Sequence, residues 1–261
     1  MPFADVNGQH IYFEDSGGTG PAVIFSHGFL MDHEMFAAQV AALSGEFRCI
    51  TWDERGFGQT EALAPFTYWD SADDALALLS HLGVEKAFFV GMSQGGFLSL
   101  RAALNAPDRV LGLGLIDTQS GPEPVEALPV YEAMNEEWMA KGASDELAGG
   151  VASIIMSPGY DHSPWIAKWQ ARPRESMREP FQTLAGRDDI SDRLPEITAP
   201  AIVFHGEADV AIPMERAEQL LKELPNCEEL VRIPGAGHAS NLSHPAAVNG
   251  PLLAFLRKHS T

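Results

Sequence analysis

The chain has 261 residues, 45% hydrophobic and 20% charged, an ordinary globular composition that excludes disordered and fibrous classes and leaves room for one large domain or one domain with an insertion. Its 17 basic residues stand against 36 acidic ones, a net charge of −19, which argues against nucleic acid or an anionic membrane as a partner. No apolar run approaches the ~18 residues of a membrane span, and Met1 to Gly20 lacks a basic n-region and an apolar h-region, so the reading is a soluble, cytoplasmic protein.

The first part alternates strand and helix. Val6 and Ile11-Tyr12-Phe13 flank the turn Asn7-Gly8 as an opening hairpin. Ala22 to Phe25 is a short apolar run of the buried parallel type, and Phe36 to Leu43 follows with helical spacing. Cys49 to Trp52 is the next strand, Ser71 to Leu82 the next helix, and Ala87 to Val90 the strand after it. A helix over Phe97 to Asn105 and a strand over Val110 to Ile116 complete this part. From Thr118 to about Pro195 the pattern turns to helical segments rich in Pro, Met and Trp, among them Val125 to Lys141 and Asp145 to Met156. Alternation returns with a strand at Ala201 to Phe204, a helix over Met214 to Leu224, a strand over Glu229 to Ile233 and a last helix over Ala246 to Lys258. The simplest reading is one parallel α/β domain, residues 1–118 and 196–261, interrupted by a helical insertion at 119–195. Cys49 and Cys227 fall on separate strands, too few for a disulfide framework, and neither is a good nucleophile. The histidines form no metal-binding array, and His27 with His33 lacks further ligands, so no metal is expected.

The segment Gly91-Met92-Ser93-Gln94-Gly95 ends a strand and opens a helix. A serine at such a sharp turn is exposed above the sheet, and small residues two before and two after it prevent collisions. An activated serine needs a base, and the base an orienting carboxylate. His238 follows the last strand in a Gly-rich loop, and Asp209 follows the strand before it. The order Ser93, Asp209, His238 suits this architecture. Rival carboxylates are Asp117, one strand earlier, and Glu207; Asp53 reads as a turn anchor with Arg55. A tetrahedral oxyanion needs two preorganised N–H donors, and those of Gln94 and Phe29 are placed to serve, the latter in the loop His27-Gly28-Phe29-Leu30.

Together, Ser26-His27-Gly28-Phe29, Asp53-Glu54-Arg55-Gly56-Phe57-Gly58, the Ser93 pentapeptide, Gly206-Glu207-Ala208-Asp209 and Gly235-Ala236-Gly237-His238 resemble the α/β-hydrolase superfamily along essentially the whole chain. Within it the sequence is similar to small bacterial esterases, 3-oxoadipate enol-lactonases and cofactor-free haloperoxidase-like perhydrolases. The resemblance implies an eight-stranded, mostly parallel sheet with a mobile helical cap between strands six and seven. Aspartate-nucleophile branches are a mismatch at Ser93, and H-G-G-G lipases at Phe29-Leu30.

The insertion carries Met134, Trp138, Met139, Met156, Trp165, Trp169 and Phe181, most of which would pack it onto the core. Trp138, Met156 and Trp165 are taken as the roof of an apolar pocket above Ser93, with Phe29 and Met92 below. Such a pocket favours a small to medium apolar substrate. The acidic surface argues against a highly anionic one, and Arg172, Arg174 and Arg178 read as a solvated face. The expectation is therefore a serine hydrolase of carboxylic esters or lactones, its partner a small molecule, with no cofactor. Peracid formation and carbon–carbon bond hydrolysis use the same residues, and a ligand-binding receptor on the same fold is the reading outside enzymes.

Overall fold

A computed structural model of the protein describes residues 2–260; Met1 and Thr261, at the ends of the ranges expected for the α/β domain, lie outside them. The strands are β1 (Phe3–Val6), β2 (Gln9–Asp15), β3 (Ala22–Ser26), β4 (Arg48–Trp52), β5 (Ala87–Met92), β6 (Val110–Ile116), β7 (Ala201–Gly206) and β8 (Cys227–Ile233). The helices are α1 (Ala37–Leu43), α2 (Tyr68–His81), α3 (Gln94–Asn105), α4 (Leu128–Lys141), α5 (Asp145–Ile155), α6 (Ser163–Ala171), α7 (Arg178–Ala185), α8 (Met214–Glu223), α9 (Ser240–Ser243) and α10 (Pro245–Lys258). The strands form one sheet in the order β1-β2-β4-β3-β5-β6-β7-β8. β1 and β2 pair antiparallel, as do β2 and β4, and every other neighbour is parallel. Helices α4 to α7 all fall between β6 and β7.

The central strands read as unbroken apolar runs because both faces of the sheet are covered: all of β3, β5 and β7 is buried. Alternate residues serve opposite cores, Val23, Phe25, Phe88 and Val90 in one and Ala22, Ile24, Ala87 and Phe89 in the other. The first core also takes α10 and the buried side chains of α4 to α7, so the insertion is welded to the domain by continuous packing. The second is closed by α2, α3 and α8.

Two helices begin earlier than their apolar periodicity predicts. α2 starts at Tyr68 because Thr67 and Asp70 form a capping box, each side chain accepting the other's backbone N–H. α3 starts at Gln94, directly after the strand, although Gly95 and Gly96 are poor helix formers. Tertiary packing overrides propensity there. A side chain on Gly91 would collide with the Gly95 carbonyl, and one on Gly95 with the Ser26 carbonyl, so only glycine lets the helix start this close to β3 and β5.

The chain runs from β3 outward to β4 and then back across β3 to β5, so the strand order reverses between β3 and β5. Their connecting loops leave in opposite directions and open a crevice at the carboxyl ends of the strands, where α/β folds bind ligands.

Candidate active site

Ser93 occupies this crevice. It has φ 51° and ψ −115°, a conformation that strains any residue but glycine, and it is the N-cap of α3. The strain is held by hydrogen bonds on both sides: the Ser93 N–H donates to the Ile116 carbonyl at 2.9 Å, and the Ser93 carbonyl accepts from the Thr118 hydroxyl at 2.7 Å. Its own hydroxyl is thus free to face a cavity of about 400 Å³ that Ser93 and His238 both line.

His238 Nδ1 lies 2.8 Å from Asp209 Oδ2. The other carboxylate oxygen, Oδ1, accepts the N–H groups of Ala211 and Ile212 at 2.8 and 3.0 Å, which fixes the acid relative to β7. Burial pushes the Asp209 carboxyl up, but the His238 ring and these hydrogen bonds hold it net below the usual range. For His238, burial works against the imidazolium and Asp209 outweighs it, so its pKa is raised. Glu207, the rival two residues from Asp209, is exposed and makes no such contact among the described residues.

Asp117 has a different role. Its carboxylate accepts the Gly206 N–H at 2.8 Å and the Ser240 N–H at 3.0 Å, so it ties the loop of Asp209 to the loop of His238 and makes no hydrogen bond to the imidazole. With Ile116 and Thr118 on either side holding Ser93, three consecutive residues at the end of β6 fasten all three loops. Burial and the charge of Asp209 push the Asp117 carboxyl up to about 7. Asp117, His205 and Asp209 come close together. His205, however, turns Nδ1 to Asp117 at 3.9 Å and Nε2 to Asp209 at 3.5 Å. His205 Nε2 also donates to the Ile212 carbonyl at 2.9 Å, so the ring is held by the backbone between the two carboxylates.

Around the loop after β3, His27 Nδ1 lies 2.8 Å from the Gly28 carbonyl and its Nε2 accepts the Glu54 N–H at 3.0 Å. Burial lowers the His27 pKa, which keeps the neutral ring this pairing requires. By fixing the Gly28 carbonyl, His27 turns the Phe29 N–H of the same trans peptide the other way. Among the described residues, neither the Phe29 nor the Gln94 N–H has a protein acceptor. The motif around Asp53 departs from its expected pairing: Asp53 accepts from the His33 and Gln59 backbones, while Arg55 pairs with Asp74. A turn anchored from outside is more constrained than one closed on itself.

The cavity floor includes Phe29 and Met92, as the sequence suggests; its other wall is Tyr131, Met134 and Ile155 of the insertion. Trp138, Met156 and Trp165, expected in the roof, do not line it. All three are buried between insertion and core. Trp138 packs edge-on against Phe181 at 6.0 Å, and Phe181 against Phe29 at 5.1 Å, so the tryptophan supports the wall from behind. The two indoles and Met156 are spent on packing the insertion, while Phe29, Tyr131, Met134 and Ile155 face the void. Trp169 Nε1 donates to the Leu30 carbonyl at 2.7 Å and Lys168 reaches Asp32 at 2.6 Å, which binds α6 to the loop carrying Phe29. The cavity mouth carries exposed Val130, Ile154 and Val210. No helix among the described residues is long and apolar enough to cross a membrane.

The chain, with its eight-stranded sheet and helices between the sixth and seventh strands, matches a family model, alpha/beta hydrolase fold, over residues 21–245. The chain belongs to that family. It is 26% identical over 240 residues to 3-oxoadipate enol-lactonase 1 of Acinetobacter baylyi, covering 86% of this chain and 84% of the relative. Among solved structures, a thermophilic esterase from Thermogutta terrifontis superposes with a TM-score of 0.89 at 30% identity, covering 100% of this chain and 98% of the other. The enol-lactonase from Burkholderia xenovorans LB400 superposes with a TM-score of 0.90 at 26% identity, covering 98% and 100%.

Proposed function

We propose that the protein is a serine hydrolase that cleaves a carboxylic ester or lactone through an acyl-enzyme. The observation that carries this reading is the strained Ser93 at the N-terminus of α3, sharing its cavity with a histidine held by a buried aspartate at 2.8 Å. Ser93 attacks the carbonyl, and His238 takes the hydroxyl proton and returns it to the leaving alkoxide. Asp209 orients the imidazole and stabilises its cation, in keeping with the raised pKa of His238. The free N–H groups of Phe29 and Gln94 stabilise the oxyanion, the second with the positive end of α3 behind it. Water then attacks the acyl-enzyme by the reverse proton path. Apolar walls and an apolar mouth suit an acyl chain or a lactone ring, and the esterase and enol-lactonase likenesses point the same way.

The test is a panel of p-nitrophenyl esters of increasing chain length run beside several lactones. Ser93→Ala should lose about 10⁴-fold or more in kcat with an unchanged circular-dichroism spectrum. A quenched wild-type reaction should show the acyl mass on the peptide containing Ser93. Hydrolysis that persists in folded Ser93→Ala would refute the reading.

A further inference from the structure

In a chain with 36 acidic and 17 basic residues, arginines find partners readily. Arg48, Arg55, Arg101, Arg187, Arg232 and Arg257 each bond a carboxylate at 2.5 to 2.8 Å. Arg216, in the first turn of α8, has no ion pair and no side-chain hydrogen bond among the described residues, although it is half-buried and lines the cavity that contains Ser93. Arg178 is also unpaired, but it is exposed and outside the cavity.

The acids nearby are engaged elsewhere. Glu123 lines the same cavity and is paired with Arg187 at 2.8 Å, which cancels its charge. Asp189 Oδ1 and Arg216 Nη1 both lie beside Gly121, but Asp189 Oδ1 accepts the Ser191 N–H at 2.8 Å and forms no ion pair with the guanidinium. A half-buried guanidinium has lost part of its hydration without gaining a partner, and it is the residue best shaped to take a carboxylate by two parallel hydrogen bonds. Its neighbours in the cavity are almost all apolar, so the partner is not supplied by the protein.

We propose that the substrate is an ester or lactone whose acyl chain carries a second, anionic group, a carboxylate, and that Arg216 pairs with it. This rests on the hydrolase reading. The acyl side is the one retained in the cavity after the alcohol departs, so an anchor at Arg216 holds it through both acylation and deacylation. The negative overall charge, which argues against an anionic substrate, is then overridden locally by one uncompensated cation.

The test uses mono-p-nitrophenyl esters of dicarboxylic acids from adipate to sebacate, each beside the counterpart whose free carboxylate is capped as a methyl ester. For the chain length that spans Ser93 to Arg216, the wild-type protein should prefer the free acid by about tenfold or more in kcat/KM, mainly through KM, and the preference should shrink as salt rises. Arg216→Ala should reduce that preference ratio at least tenfold, Arg216→Gln likewise, and Arg216→Glu should invert it. Preference for the capped ester at every length, or a ratio that survives Arg216→Ala, would overturn the proposal. Should wild type cleave none of these esters or their lactone analogues, the hydrolase reading fails instead. Calorimetric binding of the free dicarboxylates to wild type and Arg216→Ala then still decides the role of Arg216.

Discussion

The carboxyl end of the sheet and the helical insertion build the two halves of one cavity by different means. At the sheet end the candidate side chains are fixed by hydrogen bonds to the backbone, and Ser93 is held strained by them: Ser93 between Ile116 and Thr118, Asp209 by Ala211 and Ile212, the two later loops by Asp117. In the insertion the cavity wall is aliphatic and aromatic packing, tied to the core by a few polar contacts such as Trp169 to Leu30. The first half can hold reacting atoms to a fraction of an ångström, and the second can change shape by substitution without disturbing them. Chemistry should therefore be sensitive to point changes at the sheet end, and substrate choice to changes in the insertion.

Asp209→Asn should give the largest effect. The amide keeps the shape of the side chain but lacks the charge that supports His238, so kcat should fall about 10³- to 10⁴-fold. On the proposed mechanism His238 must be neutral to accept the Ser93 proton, and Asp209 raises its pKa, so activity in the wild type should rise as pH climbs through a value raised above that of a free histidine. In the variant that acid limb should move to lower pH while the plateau drops. A pH–rate profile checks both, and an unshifted limb would break the assignment of Asp209.

Trp138→Ala should cost stability rather than chemistry. The buried ring supports Phe181, which supports Phe29, and its removal should destabilise by about 3–5 kcal/mol, read as a lower denaturation midpoint. The ranking of ester chain lengths should stay as in the wild type, since the ring does not line the cavity. A changed ranking would mean that the wall and its support are one unit.

Asp117→Asn tests the hub after β6. The folded pKa of Asp117 is raised to about 7, so between about pH 4 and 7 the folded protein binds more protons here than the unfolded chain. Its contribution to stability therefore falls as pH rises through that window. The neutral variant lacks this loss and should gain on the order of 5 °C in Tm at pH 8, a gain that shrinks as pH falls and vanishes near about pH 4. Activity should nonetheless drop about tenfold, because Asp117 also helps raise the His238 pKa and sets the spacing of the two loops. A variant less stable than wild type at pH 8 would show that the hydrogen bonds outweigh the buried charge.

The difference between the two halves also explains what the sequence revealed. Strand-end motifs are legible because collisions and strain allow few residues: Gly91 and Gly95 are each required by a specific backbone neighbour, and Ser93, Asp209 and His238 follow strands that announce themselves as apolar runs. The clamp by Asp117 was not legible, since its partners are the backbones of Gly206 and Ser240, far along the chain and without side-chain signature. Nor was the pairing of Arg55 with Asp74 on α2, which competes with the nearer Asp53 only once the helix is placed. In the insertion, aromatic content drew attention to Trp138, Met156 and Trp165, but which face of each helix meets the void depends on tertiary packing. Arg216 carries no motif at all; only the absence of a partner marks it.

The smallest effect should come from Met134→Ala. Met134 is partly buried on α4, lines the cavity and is flexible enough to follow ligands of different shape. Shortening it makes room for about one or two more methylene groups of an acyl chain, each worth about 0.8 kcal/mol when buried there. Longer p-nitrophenyl esters should therefore gain three- to tenfold in kcat/KM relative to acetate, with kcat on acetate within a factor of two. Because Met134 is on the insertion and not on a strand end, the pH–rate profile should not move. A shift of that profile would mean that the insertion positions the reacting groups as well as the substrate, and the division between a rigid sheet end and an adaptable roof would fail.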